Sequence, residues 1–180
     1  FAPAMAVVTL LHQVATAQTE TGSTITQTFP LRAGWNAIWV RVEPEDRRPT
    51  AVFTNLPVDR VATYFPARTP VDYIQDPGAL PFKQKGWNVW YAPQLPEAVA
   101  TDLYAILGGQ CYLVHATTAA TLNVRGSAIH RRVAWRADSF NFVGFPVDPA
   151  SPPTFGSWFA GSKAHQSGTR PVIYRLDAAD

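Results

Sequence analysis

The stretch Leu31-Arg-Ala-Gly-Trp-Asn-Ala-Ile-Trp-Val-Arg-Val-Glu-Pro44 occurs in a second version later in the chain. The second version is Trp135-Arg-Ala-Asp-Ser-Phe-Asn-Phe-Val-Gly-Phe-Pro-Val-Asp-Pro149. With Asn36 set against Asn141, both versions share the frame Asn-x5-Val-acidic-Pro, and Arg60-x3-Tyr64 later matches Arg170-x3-Tyr174. The pattern predicts an internal repeat over about 31–64 and 135–174. The motif residues are Gly34, Trp35, Asn36, Val42, Glu43, Pro44 and Tyr64 in the first copy, and Asn141, Val147, Asp148, Pro149 and Tyr174 in the second.

The first copy predicts a β-strand from Trp35 to Val42, preceded by a turn at Ala33-Gly34. Aromatic and β-branched residues fall on both alternating faces of this segment, which favours a strand that is covered, or nearly covered, on both sides. Asn36 follows the turn glycine directly. An asparagine in this position usually bonds to local backbone and fixes the turn, and we prefer that interpretation to a ligand role.

The composition predicts a single β-rich domain over residues 19–180. A chain of 180 residues can bury a sizeable core, and 47% apolar against 16% charged residues disfavours global disorder. Sixteen prolines and eleven glycines divide the chain into short elements, which favours strands and turns over long helices. The formal charge of +2 and the dispersed basic residues argue against a nucleic-acid surface.

Residues 1–18 have the features of the rear part of a secretory signal peptide. Ala4-Met-Ala-Val-Val-Thr-Leu-Leu11 has the length of an apolar h-region, and Ala15-Thr-Ala17 has the small-x-small form of a cleavage site. A buried helix or strand at the domain edge is the alternative. The apolar run is shorter than the roughly 20 residues of a spanning helix, so no stable membrane span is expected. We expect a secreted, extracellular or cell-surface protein whose domain is truncated at the C-terminus.

One helix and several strands are predicted elsewhere. Proline and Glu97 in a first turn, apolar residues at helical spacing and the stop at Gly108-Gly109 favour a helix over about 96–107. The segment 86–91, Gly-Trp-Asn-Val-Trp-Tyr, repeats the turn chemistry of the first copy without its Val-acidic-Pro continuation. Other segments with strand character are 60–65, 71–75, 110–115, 121–125 and 172–174. The predicted fold is mostly β: an antiparallel β-sandwich-like domain of two pseudo-repeat halves with one short α-helix. An α+β fold is the alternative.

Three segments together resemble modules of large secreted or surface proteins of environmental bacteria. They are the Gly-Trp-Asn…Val-Glu-Pro opening, the Gly-Gly-x-x-Tyr-Leu-Val centre at 108–114, and Phe-Asn-Phe-Val-Gly-Phe-Pro-Val-Asp-Pro at 140–149. The resemblance covers about Thr28 to Leu176. It implies a non-catalytic, β-rich, N-terminal module that is often followed by further extracellular domains. The second copy departs from the pattern, because Asp138-Ser139-Phe140 replaces Ala-Gly-Trp.

Patterns for catalysis or metal binding are weak. The nucleophile motif Gly-x-Ser-x-Gly does not occur. His115, His130 and His165 lack the spacing of a zinc motif, so a hydrolytic or zinc site would have to bring residues together from distant parts of the sequence. Glu43, Glu45 and Asp46 on one loop could hold calcium weakly, and we prefer the interpretation of a plain solvated loop. The lone Cys111 is predicted to be a small buried hydrophobe. We predict no catalytic residue, no metal and no cofactor.

Glu43 and Asp148 occupy equivalent places in the two copies. If the halves were related by a pseudo-two-fold axis, the two acids could face each other as in a two-carboxylate glycosidase. Each also follows a predicted strand and precedes proline, so each could simply cap a turn. We prefer the turn-capping interpretation because one cause explains both positions.

Aromatic residues make up 12% of the chain and include six tryptophans. Exposed Trp and Tyr rings would stack on sugar rings, whereas buried rings would belong to a sandwich core. The speculative ligand-binding residues are Trp39, Trp90 and Tyr91. The sequence thus predicts a non-catalytic structural or interaction module whose partners are other domains of a longer chain or cell-surface components. A carbohydrate-binding module with a polysaccharide partner is the alternative, and a hydrolase is less favoured.

Overall fold

The computed structural model describes residues 24–65, 86–129, 135, 140–145, 148 and 150–161. The strands in this part of the chain are β1 (Thr24–Leu31), β2 (Gly34–Val40), β3 (Val42–Pro44), β4 (Val58–Tyr64), β5 (Trp87–Tyr91), β6 (Gln110–Ala116) and β7 (Ala120–Ala128). The helices are α1 (Pro49–Val52) and α2 (Phe155–Phe159), with a 3₁₀ helix at Pro96–Ala100.

The strands form two antiparallel sheets that share one core. The three-stranded sheet has the order β1-β7-β3, and the four-stranded sheet has the order β2-β6-β4-β5. The mostly β, sandwich-like prediction is therefore confirmed. Burying one large apolar side chain contributes about 1.5–3 kcal/mol, and both sheets supply such residues. The core includes Leu31, Val42, Leu122 and Val124 from the first sheet, and Ile38, Val40, Val61, Trp90, Tyr112 and Val114 from the second.

The strand predicted from Trp35 to Val42 is divided at Arg41 between the two sheets. β2 pairs with β6, whereas β3 pairs with β7 in the other sheet. The Gln27 side chain spans this break, because its Nε2 donates to Trp39 O at 2.9 Å and its Oε1 accepts from Arg41 N at 2.7 Å. A side-chain amide thus satisfies the backbone groups that lose a strand partner where the chain changes sheet.

Burial along β2 differs between its two faces, where the sequence predicted a strand covered, or nearly covered, on both sides. Ile38 and Val40 are buried in the core, as the alternation predicts. On the opposite face Trp35 and Trp39 are partly buried and Ala37 is exposed. One face of the strand is therefore dry, and the other is an aromatic surface that the chain covers only in part.

Asn36 fixes the turn between β1 and β2, as predicted. Its Oδ1 accepts from Arg32 N at 2.9 Å, and its Nδ2 donates to Arg32 O at 2.8 Å and to Gly34 O at 3.0 Å. Gly34 has a φ of 88°, which a side chain would disfavour. Because β1 and β2 belong to different sheets, this turn sets the crossing between the two layers.

Replacing Asn36 by Ala should lower the free energy of unfolding by about 1–2 kcal/mol, since it leaves the Arg32 backbone groups without their side-chain partner. Urea unfolding followed by tryptophan fluorescence measures the change. Asn123→Ala is the matched control: Asn123 is exposed and accepts one bond from the Thr28 hydroxyl, so its loss should stay within about 0.5 kcal/mol. Equal losses in the two variants would contradict the role assigned to Asn36.

The third Gly-Trp-Asn sequence shares the glycine conformation of the first but not its asparagine bonding. Gly86 has a φ of 89°, close to that of Gly34. Asn88, however, donates from Nδ2 to Asp102 O at 2.9 Å, a partner on a distant segment. The similarity is therefore one of backbone turn geometry, which agrees with the interpretation of this segment as turn chemistry rather than a full repeat.

The prediction of an α-helix over about 96–107 is wrong, because residues 96–100 form a 3₁₀ helix and residues 101–107 are not helical. The 3₁₀ helix Pro96–Ala100 ends because Thr101 is extended, with a ψ of 127°. The following N–H groups then bond outside the segment: those of Asp102 and Leu103 donate to Val89 O. Leu103 and Ile106 are buried, as the apolar spacing suggested, but the chain brings them into the core in an irregular conformation. Tertiary hydrogen bonds have thus overridden a local helical pattern.

The described part of the second copy differs from the first. Residues 140–145 are not in a strand, whereas the equivalent residues of the first copy form β2. The repeat therefore stays a sequence prediction. Val147, Pro149, Tyr174, the signal-like segment 1–18 and the strand segments 71–75 and 172–174 lie outside the described residues.

Candidate functional site

The outer face of the four-stranded sheet is rich in aromatic side chains. Residues that alternate with the core members Ile38, Val61 and Val114 point away from the core, because successive side chains of a strand lie on opposite faces. The strand registers arrange these outward residues in rows that cross the sheet. The row that we call the cross-sheet row consists of Trp35 on β2, His115 on β6, Arg60 on β4 and Tyr91 on β5.

Aromatic and polar groups in the cross-sheet row contact one another or nearby acids. The Trp35 and His115 rings meet edge to face with centroids 5.1 Å apart. His115 Nδ1 lies 2.5 Å from Asp59 Oδ1, and Arg60 Nη2 lies 3.7 Å from Glu97 Oε1. Each basic group therefore has a carboxylate beside it, and the row carries little net charge.

A β-bulge places Asp59 against His115. The pairing of β4 with β6 shifts between Val58 and Arg60, so that Asp59 is the extra residue. Bulges re-aim side chains relative to a regular strand. The Asp59 backbone is also anchored, since its carbonyl accepts from Ala92 N at 2.8 Å. The carboxylate is thus held in position next to the imidazole by backbone geometry rather than by a flexible loop.

Phenylalanines of the second copy cover the opposite end of the same face. The Phe140 ring meets Tyr64 perpendicularly at a centroid distance of 4.9 Å, and the Phe142 ring lies 5.9 Å from Trp87. Aromatic pairs at these separations contribute about 0.5–1.5 kcal/mol beyond their area burial. The 140–145 segment therefore lies across the sheet face instead of extending the sheet.

Gly144 allows this segment to lie directly on Trp39. A Cβ added at Gly144 would be 2.2 Å from Trp39 Cγ, so only glycine permits the approach. Arg41 also lies over the Trp39 ring, with its guanidinium carbon 5.8 Å from the ring centroid. Trp39 is therefore engaged within the chain over much of its surface.

The three residues predicted to bind a ligand have three different environments. Trp90 is 6% exposed and stacks on Phe53 in the core, at a centroid distance of 5.8 Å, so its prediction as a surface residue is wrong. It is opposite the fully buried Val61, which places it on the inner face. Trp39 lies under Gly144. Tyr91 is the one of the three that belongs to the cross-sheet row.

A second group of rings, which we call the aromatic surface cluster, lies after β7 in the sequence. Its members are Trp135, Phe145, Trp158 and Phe159. Phe145 contacts Trp135, Trp158 and Phe159, with centroid distances between 5.4 and 6.0 Å. Trp135 is 54% exposed and Trp158 is 39% exposed. Phe155, in the same helix as Trp158, is 57% exposed. This cluster was not predicted from the sequence. The Thr154 cap is the local signal that could have located α2, which carries Trp158 and Phe159.

Glu43 and Asp148 have separate structural partners. Glu43 Oε2 accepts from Gly108 N at 3.2 Å, and its Oε1 forms an ion pair with Arg47 Nε at 2.8 Å that is not aligned as a hydrogen bond. Asp148 Oδ1 accepts from Ala150 N at 2.9 Å, a turn cap as predicted. Glu43 does not cap its own turn but connects β3 to the distant Gly108.

The other two acids of the 43–46 loop are also paired with arginines. Glu45 Oε1 lies 3.1 Å from Arg125 Nε, and Asp46 binds Arg48 through both oxygens. Hydrogen bonding to Arg48 lowers the pKa of Asp46 to about 2. Within the described ranges no three metal-ligating side chains come together. The loop is therefore an exposed salt-bridged segment.

Cys111 is buried, as predicted, with 4% of its surface exposed. Burial raises the pKa of its thiol to about 12, so the sulfur remains protonated at neutral pH. A thiol in that state is a poor nucleophile and metal ligand. Of the three histidines named in the sequence, His115 lies in the cross-sheet row, and His130 and His165 are outside the described residues.

No protein-family model, curated protein or solved structure matches this chain. The arrangement of its own side chains is thus the basis for a functional proposal. Of the helices in the described segments, none has the length and apolar character needed to cross a membrane.

Proposed function

We propose that the chain is a non-catalytic interaction module of a secreted or cell-surface bacterial protein. The observation that carries this proposal is the aromatic surface cluster, whose Trp135 and Trp158 are 54% and 39% exposed, together with the 57% exposed Phe155 on the same helix as Trp158. Contiguous exposed apolar patches mark binding surfaces, and aromatic residues are enriched at such interfaces. The partner is another domain of a longer chain or a component of the cell surface.

The chemistry of the polar side chains supports a scaffold role. The acids Glu43, Asp46 and Asp59 are each held by a structural partner. Cys111 is kept protonated by burial. These side chains therefore stabilise the fold. A stable fold that presents a binding surface is what an interaction module requires.

The test is co-sedimentation of the labelled chain with intact cells of the bacterium that encodes it. A double variant, Phe155→Ser with Trp158→Ser, should reduce the bound fraction at least about tenfold, since central aromatic residues each carry about 2 kcal/mol or more of binding energy. Val99→Ser is the control, because Val99 is a 95% exposed apolar residue of the 3₁₀ helix Pro96–Ala100 and not a member of the cluster. Unchanged binding of the double variant would contradict the proposal.

A carbohydrate-binding function is the second candidate, and the cross-sheet row favours it. Trp35 and Tyr91 are partly exposed, and polar side chains lie between them on the same face. Sites for small polar ligands combine apolar or aromatic surfaces with a few placed polar groups. The row has both parts, at a position remote in sequence from the aromatic surface cluster.

A further inference from the structure

We infer that the cross-sheet row binds a neutral, linear polysaccharide whose sugar rings stack on Trp35 and Tyr91. The inference rests on the carbohydrate-binding function proposed above and assigns it a site and a ligand class. Sugar rings have apolar C–H faces that match the faces of aromatic side chains. The two aromatic ends of the row would therefore hold two rings of one glycan chain.

The length of the row suits a short run of sugars. Trp35 and Tyr91 lie on the two edge strands of the four-stranded sheet, three strand spacings apart. At about 4.8 Å per spacing, the row is roughly 14 Å long, comparable with about three linked pyranose rings.

The middle of the row supplies complementary hydrogen-bonding groups. The Arg60 guanidinium donates, and the Asp59 carboxylate accepts. A sugar hydroxyl does both, so a central pyranose ring can bond to Arg60 and Asp59 at once. The side chains of Arg60, His115 and Asp59 are 39%, 24% and 16% exposed, so a ligand on the outer face reaches Arg60 most directly and Asp59 least.

The charge pattern favours a neutral glycan. Asp59 lies beside His115, and Glu97 lies near Arg60. A carboxylated sugar would have to approach these two acids and compete with them for the basic groups. Like charges placed together reduce affinity for the wrong ligand. Uncharged hydroxyls meet no such repulsion.

The site is held in shape before a ligand arrives. The bulge at Asp59 and the edge contact between Trp35 and His115 restrain the side chains. The next row on the same face contains small or aliphatic residues, of which Ala62 is buried: Ala37, Leu113, Ala62 and Val89. Restraint of this kind lowers the entropic cost of binding.

The test is isothermal titration calorimetry of the whole chain with cellohexaose, xylohexaose and mannohexaose, and with hexagalacturonate as the acidic probe. At least one neutral hexasaccharide should bind with a Kd below about 1 mM. Trp35→Ala and Tyr91→Ala should each weaken that binding about tenfold or more. Arg60→Gln should weaken it while retaining the fold, because it shortens a partly exposed side chain and removes its guanidinium donors.

Trp158→Ala is the matched control, since it removes an equally large ring from the aromatic surface cluster and should leave glycan binding unchanged. Thermal unfolding of each variant reports whether its fold is retained. Binding that survives the Trp35, Tyr91 and Arg60 substitutions would overturn the site. Tighter binding of hexagalacturonate would overturn the ligand class. Failure of every neutral hexasaccharide would overturn the carbohydrate function itself, while the cell-binding test of the interaction module would stand independently.

Discussion

Gly126→Ala is expected to lower the free energy of unfolding by about 3 kcal/mol or more, the upper part of the range for overpacked sites. Gly126 is a buried residue of the central strand β7, opposite Pro44 of β3. A Cβ added there would be 1.9 Å from the Glu43 carbonyl oxygen and 2.6 Å from its carbon. These are backbone atoms, so no side-chain rotation relieves the overlap, and β3 must move away from β7.

Urea unfolding followed by circular dichroism measures the loss. Gly156→Ala is the matched control, because its added Cβ would approach only Thr154 Oγ1, at 3.9 Å. Gly156 lies in α2, where alanine is the better helix former, so the control should be neutral or more stable by up to about 1 kcal/mol. A Gly126→Ala protein as stable as the wild type would show that β3 does not lie this close to β7.

The second large effect is expected at Tyr112, a core residue with no exposed surface. Its hydroxyl accepts from Leu107 N at 2.7 Å and donates to Leu107 O at 3.3 Å. Tyr112→Ala should cost about 3–5 kcal/mol through the cavity it creates. Tyr112→Phe should cost about 1–3 kcal/mol, because it leaves the Leu107 backbone groups without their partner.

Tyr104→Phe is the control for the hydroxyl. Tyr104 is 73% exposed, and its hydroxyl donates to Thr101 O at 2.9 Å. Water replaces that bond when it is lost, so the change should stay within about 0.5 kcal/mol. If the two Tyr→Phe variants unfold at the same urea concentration, the Tyr112 hydroxyl does not anchor the 101–107 segment to the core.

The strands were predictable where apolar, β-branched or aromatic residues are concentrated in a short segment, as in β4 and β6. The helix prediction over 96–107 failed because the same apolar spacing can be satisfied by an irregular chain. The groups that decide the matter, such as Val89 O for Asp102 N, are far away in sequence. Local propensity contains no information about such partners.

The candidate site was less predictable than the fold. Trp90 and Tyr91 are adjacent, so one must point inward and the other outward, and the sequence does not say which. The strand register decides it by placing Trp90 opposite Val61. The cross-sheet row depends on three such registers and on a bulge at Asp59, all of which are set by long-range pairing.

The passage of the chain through Arg41 also has a mechanical consequence. β2 and β3 are separated by this single residue, yet they are built into different layers. Tension applied to one layer therefore reaches the other through covalent bonds as well as through side-chain packing. Such a junction lets the two layers resist shear together instead of sliding apart.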